Sequence, residues 1–172
     1  DDKCMNDITL EKDIEIEGMG IVFHSGGILK THFKGYDFLN KEFWNPKDVA
    51  KHVKQGDITA LCTGSPGLYH LKFKKGYPTT EELRLYAAAA RIGIIIDTGK
   101  LYIRDLYDLE EWDCDCNNAI NITLENGIYI VTAVEDRISD EEFYQFGQDI
   151  QLFLERVETM PILNWDGVPM LI

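Results

Sequence analysis

The stretch Ile120-Asn-Ile-Thr-Leu-Glu-Asn-Gly-Ile-Tyr-Ile-Val131 sets two apolar runs on either side of Glu125-Asn126-Gly127. Alternation at a period of two sends successive side chains to opposite faces of an extended chain. Asn-Gly supplies the positive φ that a tight reversal requires. Read locally, the stretch predicts an antiparallel hairpin, and the same grammar recurs outward from it. Ile92 to Ile96 and Leu101 to Ile103 flank Thr98-Gly99, and Ile58 to Thr63 and Leu68 to Phe73 flank Gly64-Ser-Pro-Gly67. Gly20-Ile-Val-Phe-His24 is followed by Ser25-Gly26-Gly27 and then Ile28 to Phe33. Four hairpins are therefore expected, with a short strand over Ile14-Glu15-Ile16-Glu17 before them and a strand over Ile150 to Leu154 after them.

Three short helices are expected between these strands. Asn45-Pro46-Lys47-Asp48 combines a capping side chain, a proline suited to the first turn and an acid facing the positive helix end. Val49, His52 and Val53 then share one face, Lys47, Lys51 and Lys54 the other, and Gly56 stops the run. Thr79-Thr-Glu-Glu82 reads as a capping box opening a helix with Leu83, Tyr86, Ala87 and Ala90 inward. Ser139-Asp-Glu-Glu142 reads as a second, leading through Phe143 and Phe146. Gly35 to Phe43 and Asp105 to Asn118 read as loops, and the tail with Pro161, Trp165, Gly167 and Pro169 as irregular. The fold class expected is α+β, with antiparallel β-hairpins forming two pseudo-repeated sheet halves and three short helices.

The pseudo-repeat comes from matching order. Gly20-Ile-Val-Phe-His-Ser-Gly resembles Gly93-Ile-Ile-Ile-Asp-Thr-Gly. Gly67-Leu-Tyr-His-Leu and the Thr79 box match Gly127-Ile-Tyr-Ile-Val and the Ser139 box at a constant offset. The expectation is one domain over residues 1–172, with an internal duplication over about residues 19–91 and 92–157.

Apolar residues make up 45% of the chain, enough for a sizeable core, and no apolar run approaches the roughly 20 residues of a membrane span. Asp1-Asp2-Lys3-Cys4 has no apolar signal core. Cys4, Cys62, Cys114 and Cys116 read as free thiols of a reducing compartment, so a cytoplasmic location without membrane contact is expected. Net charge is −13, and the two halves differ: residues 1–86 hold 13 acidic and 12 basic groups, residues 87–172 hold 17 and 5. Such a field repels phosphate backbones, which disfavours direct nucleic-acid binding, and speeds encounter with a basic protein.

The usual catalytic patterns are absent. His24 stands beside Ser25, but adjacency in sequence does not make a nucleophile–base pair. Ser25-Gly26-Gly27 and Thr63-Gly64-Ser65 do not lead from strand to helix as a phosphate loop should. Asp113-Cys-Asp-Cys-Asn117 begins like a calcium loop, but Asn118 stands where glycine is needed and Leu124 where the closing Glu should be. No metal or cofactor is expected. The distinctive segment is Asp105-Leu-Tyr-Asp-Leu-Glu-Glu-Trp-Asp-Cys-Asp-Cys116, in which Asp105, Asp108, Glu110, Glu111, Asp113 and Asp115 surround Tyr107 and Trp112. Aromatic anchors in a charged rim suit a hot spot for a basic partner. A second reading tucks Trp112 into the core and leaves the acids to solvate the loop. Both stand at the level of sequence.

Trp44-Asn-Pro-Lys-Asp-Val-Ala with Gly56-Asp-Ile, Arg91-Ile-Gly-Ile-Ile-Ile-Asp-Thr-Gly-Lys-Leu-Tyr-Ile, and Ile120 to Val131 resemble the bacterial competence-associated inhibitor of DNA-entry nuclease. Immunity proteins of bacterial polymorphic toxin systems are similar in layout. The resemblance covers about residues 40 to 135 and departs in the N-terminal hairpin, the acidic loop and the tail. It implies a non-enzymatic inhibitor that neutralises a basic toxin or nuclease domain by stoichiometric binding. The alternative is a small ligand-binding or enzymatic α+β domain with a pocket between the halves, using His24, His32 and His70 with Asp97.

Overall fold

The computed structural model describes residues 10–86, 88–116, 119–136, 138–163 and 167–171. Residues 1–4, Ala87, Asn117, Asn118 and Trp165, singled out above, lie outside the described residues. Among the described residues, nine strands form two sheets. They are β1 (Leu10–Ile16), β2 (Gly20–His24), β3 (Ile58–Cys62), β4 (Gly67–Lys75), β5 (Ala88–Ile96), β6 (Lys100–Asp105), β7 (Ile120–Thr123), β8 (Gly127–Glu135) and β9 (Gln148–Val157). Four α-helices accompany them: α1 (Phe38–Glu42), α2 (Pro46–Gln55), α3 (Thr80–Leu85) and α4 (Asp140–Phe146). No helix among the described residues is long and apolar enough to cross a membrane.

The five-stranded sheet has the order β1-β4-β9-β8-β5 and the four-stranded sheet β3-β2-β6-β7. All neighbours run antiparallel except β4 and β9, which are parallel. The α+β class and the two mostly antiparallel sheets stand as the sequence led us to expect. The hairpins do not. β3 and β4, β5 and β6, and β7 and β8 each have one strand in each sheet, so the glycine turns between them carry the chain across the molecule. The segment after β2 is a 3-10 turn over Gly27–Lys30, not a strand, and β2 pairs with β3 and β6.

The cause lies in what each strand covers. In β2 every residue is buried. Its Ile21 and Phe23 join Leu101 and Ile103 of β6 and Ile92 and Ile94 of β5 in the core between the sheets. Val22 faces the other way, onto Phe38, Leu39, Val49, Val53 and Trp112. The four-stranded sheet is thus sandwiched between the five-stranded sheet and a layer of helices and loop. Strands apolar on both faces belong in that middle position, and a local turn pairing would leave one face uncovered.

Helix starts follow their sequence signals. Asn45 caps α2, and Gly56 at φ 72° ends it. Thr79 and Glu82 form a complete capping box on α3, and the Ser139 side chain accepts from the Glu142 N–H on α4. The helix expected to run to Ala90 stops at Leu85, because Ala88 to Ile96 pairs with β8 along its whole length. Ala90 faces the inter-sheet core from a strand, and Leu83 and Tyr86 are half-buried. The loop expected over Gly35 to Phe43 contains α1, capped by Asp37 through the Asn40 N–H. Phe143 packs edge-on against Tyr69, while Phe146 is exposed.

Candidate partner-binding site

The segment after β6 is anchored at both of its informative residues. Asp105, 8% exposed, accepts from the Glu17 N–H at 2.7 Å and from the Gly18 N–H at 3.3 Å. The same carboxylate accepts from the Tyr107 N–H at 3.1 Å, capping a 3-10 turn over Leu106–Glu110. One side chain therefore ties the acidic segment to the β1–β2 connection. Trp112, 1% exposed, stacks on Phe38 with ring centroids 4.6 Å apart and donates from Nε1 to the Leu29 carbonyl at 2.9 Å. Its backbone N–H donates to the Tyr36 carbonyl. Of the two readings of this tryptophan, the structure has the buried one: Trp112 props the loop from beneath and is not a contact surface.

The remaining predicted residues face outward. Tyr107, Asp108, Glu110, Glu111 and Asp115 are exposed, and Asp113 is half-buried with its carboxylate accepting from the Asp115 N–H. Asp105, Tyr107, Asp108 and Glu110 form one wall of a groove of about 530 Å³. Glu111, Asp113 and Asp115 do not line it.

The opposite wall was not foreseen. Asp13 and Glu15 of β1, with Glu17 beyond its end, line the groove, and Ile14, Ile103, Arg104, Ala119 and Ile120 complete it. Asp13, Glu15 and Glu17 are exposed while Ile14 and Ile16 are buried. The signal was in the sequence: the period of two that predicted β1 also aligns its acids on one face. Partial desolvation against the groove wall raises the pKa of the largely exposed Asp108 carboxyl; Arg104 opposes this, and the carboxylates of Asp105 and Glu17 add to it.

Beneath the groove Arg104, 4% exposed, donates from Nη2 to Cys116 Sγ at 3.2 Å, while its Nε and Nη1 have no hydrogen-bond partner among the described residues. Cys116 adopts φ 52°, a left-handed conformation uncommon outside glycine, and burial raises its thiol pKa. A buried thiol of this kind is held mainly as SH, and the site offers no activated nucleophile there.

The residues of the enzymatic alternative do not converge. His24 is wholly buried, with Nδ1 donating to the Ser25 carbonyl at 2.6 Å, and burial lowers its pKa to about 4. His32 meets Glu42 at 2.6 Å, and His52 lies between Glu42 and Asp57 at 3.3 and 2.9 Å. His70 donates to Asp13 at 2.6 Å and to the Phe146 carbonyl at 2.7 Å, and Asp97 accepts from the Gly27 N–H. No hydrogen bond or ion pair joins any two of His24, His32, His70 and Asp97 among the described residues. Nor are three or more His, Cys, Asp or Glu side chains there grouped to hold a metal ion.

No family model and no curated protein matches this sequence. Among solved structures, the chain is similar to ComJ from Bacillus subtilis, an inhibitor of the DNA degrading activity of NucA. The TM-score is 0.53 at 10% identity, covering 86% of this chain and 96% of that one. It is also similar to crocagin biosynthetic gene J, with TM-score 0.55 at 12% identity over 87% of this chain and 97% of that one. At such identities the likeness is one of architecture: the chain has a ComJ-like fold.

Proposed function

We propose that this protein is a non-enzymatic, stoichiometric inhibitor that binds a basic toxin or nuclease domain and occludes its working cleft. One observation carries the reading. On a fold shared with a nuclease inhibitor, the acids of the loop after β6 stand outward on a buried scaffold and face a second acidic wall from β1. Asp108, Glu110, Glu111 and Asp115 supply complementary charge and Tyr107 an exposed aromatic contact, while Asp105 and Trp112 hold the segment in place. Enzymes that act on nucleic acid carry basic clefts, so this field both steers encounter and competes with the polyanionic substrate. Cys62, Cys114 and Cys116 are free, which suits a reducing cytoplasm as the place of action.

The test is capture of partners from the source cell's lysate at low salt, identified by mass spectrometry. The expected result is a basic protein held at a one-to-one ratio, released by salt and lost with the double change Glu110→Lys, Glu111→Lys. A partner retained undiminished by that variant would mean that another surface does the binding, and capture of none would remove the inhibitor reading.

A further inference from the structure

We infer that the outer face of the five-stranded sheet binds a medium-chain aliphatic monocarboxylate, its chain in an apolar groove beside β5 and its carboxylate on Arg91. The groove shares no residue with the acidic one between β1 and the Leu106–Glu110 turn, so the binding inferred goes beyond the inhibitor reading.

The groove follows from how β5 and β8 are packed. Ala88, Ala90 and Ile92 of β5 and Tyr129, Val131 and Ala133 of β8 fill the core between the sheets. Alternation therefore turns Ala89, Arg91, Ile130 and Thr132 to the other face. There α3 contributes Leu83 and the chain after β9 contributes Pro161, Ile162 and Leu163, bounding a volume of about 380 Å³. A cavity of that size, with apolar walls and a single charged group, falls in the range of small-molecule sites. Ile162 is wholly exposed at its rim, so an aliphatic chain lying in the groove covers apolar surface that otherwise faces water.

The charge around the groove selects the sign of the ligand. The chain holds 30 acidic and 17 basic residues, yet the residues lining this groove include no acid and one base, Arg91. Directly across from it on β8 stands Thr132, so the cross-strand position that would suit a pairing carboxylate holds a hydroxyl. The Arg91 guanidinium carbon lies over the Tyr77 ring, 4.7 Å from its centroid, and the group has no hydrogen-bond or ion-pair partner among the described residues. Stacking occupies one face of a guanidinium and leaves its in-plane N–H donors to a carboxylate, which takes two of them at once. A cationic ligand is repelled by Arg91 and a neutral one leaves it unpaired, so the site favours an anion with an apolar tail.

Titration calorimetry of the whole chain with octanoate, octanamide and butyrate tests this, with methyl NMR to place the ligand. Saturable one-to-one octanoate binding is expected, with octanamide about fivefold weaker for want of the charge. Butyrate should be weaker by about tenfold or more because its shorter chain buries less apolar surface. The methyl signals of Ile130 and Leu163 should shift as octanoate is added. Arg91→Met should bring octanoate to the level of octanamide and leave octanamide unaltered, while Arg156→Met, at an exposed arginine outside the groove, changes neither. Should Arg91→Met not fold, the octanamide comparison on the unaltered chain still decides. No saturable octanoate binding, equal affinity for octanoate and octanamide, an equal effect of the two arginine changes, or methyl shifts confined to other parts of the molecule would each overturn the proposal. A short peptide ending in a leucine carboxylate that binds about tenfold more tightly than octanoate would overturn it in favour of a protein C-terminus as the occupant. None of these outcomes bears on partner capture from lysate, which tests the inhibitor reading separately.

Discussion

The two faces of the four-stranded sheet are packed by opposite means. Toward the five-stranded sheet the filling is mostly aliphatic: Ile16, Ile21, Leu61, Leu71, Ile92, Ile94, Val131 and Leu152 surround Phe23, Tyr69, Phe73 and Tyr129, with no histidine among them. Toward the helices it is aromatic and titratable. Phe38, Phe43 and Trp112 lie among His24, His32 and His52, each imidazole with its own oxygen partner. The first face obeys a non-directional force and tolerates any well-filled arrangement. The second is held by individual hydrogen bonds and ring contacts, so it can be broken one group at a time. The acidic segment of the candidate site is anchored on the second face through Leu109 and Trp112.

Substitutions can separate the two. Trp112→Ala should have the largest effect, a loss of about 3–5 kcal/mol in denaturant unfolding, because it removes a buried ring and leaves the Leu29 carbonyl unpaired. A loss under about 1 kcal/mol would mean that Trp112 is not the prop of the acidic segment. Ile94→Ala on the aliphatic face should lose about 2–5 kcal/mol with no change in the shape of the stability–pH curve. A curve altered by Ile94→Ala would show that the two faces are not independent.

On its acid side, the pH dependence of the aromatic face follows from His24. Its folded pKa of about 4 lies below the ordinary 6.5, so its stabilising effect is full above 6.5 and is lost as pH falls toward 4. The shift corresponds to about 3 kcal/mol, and His24→Phe should flatten that acid-side decline in unfolding midpoints. His70 behaves oppositely. Its hydrogen bonds to Asp13 and Phe146 raise its pKa, so its effect is present below 6.5 and fades as pH rises through the raised value. His70→Gln should lessen that fade and leave the acid limb alone; the remainder comes from His52, whose pKa, though burial opposes it, is raised by Asp57 and Glu42.

Asp105→Ala should destabilise by about 1–3 kcal/mol by leaving the Glu17 and Tyr107 N–H groups without their acceptor. Proteolysis within residues 105–116 should quicken in the same variant; unchanged cleavage would show the segment to be pinned by Trp112 alone. The smallest effect belongs far from both faces. Thr79→Ala should lose about 1 kcal/mol through its cap, since α3 buries no residue to amplify the loss.

What the sequence made legible was local chemistry. Asn45, Thr79 and Ser139 cap helices as their spacing indicates, because a cap is satisfied within a few residues. Asn126-Gly127 marks a reversal between two strands, and Asn126 Oδ1 accepts from the Gly99 N–H of the neighbouring turn. Turn chemistry fixes that the chain reverses but not which sheet receives the next strand. That choice depends on which apolar faces are left to cover, and Ile21, Val22 and Phe23 divide between two cores in a way that no local window records. The candidate site divides likewise. The acids after residue 104 were visible as a run, while Asp13, Glu15 and Glu17 join them only because β1 packs beside β6. Arg104 gave no sign at all, since a lone arginine after a strand of Leu, Tyr and Ile ordinarily points to solvent.

The position of β9 has a consequence for how the protein is made. This strand, latest in the sequence of the nine described, lies between β4 and β8 and is parallel to one and antiparallel to the other. Until Gln148 to Val157 has left the ribosome, the larger sheet is two unjoined pieces with two bare inner edges. Synthesis at about 5–20 residues per second leaves those edges waiting for several seconds. Closure then requires a parallel pairing across more than seventy residues of chain, the slow kind of contact. A nascent chain in this state is a target for chaperones and for wrong pairing with its own neighbours on a polysome, and ribosome-bound chains ending before Gln148 should be captured by holdases while those extending past Val157 are not.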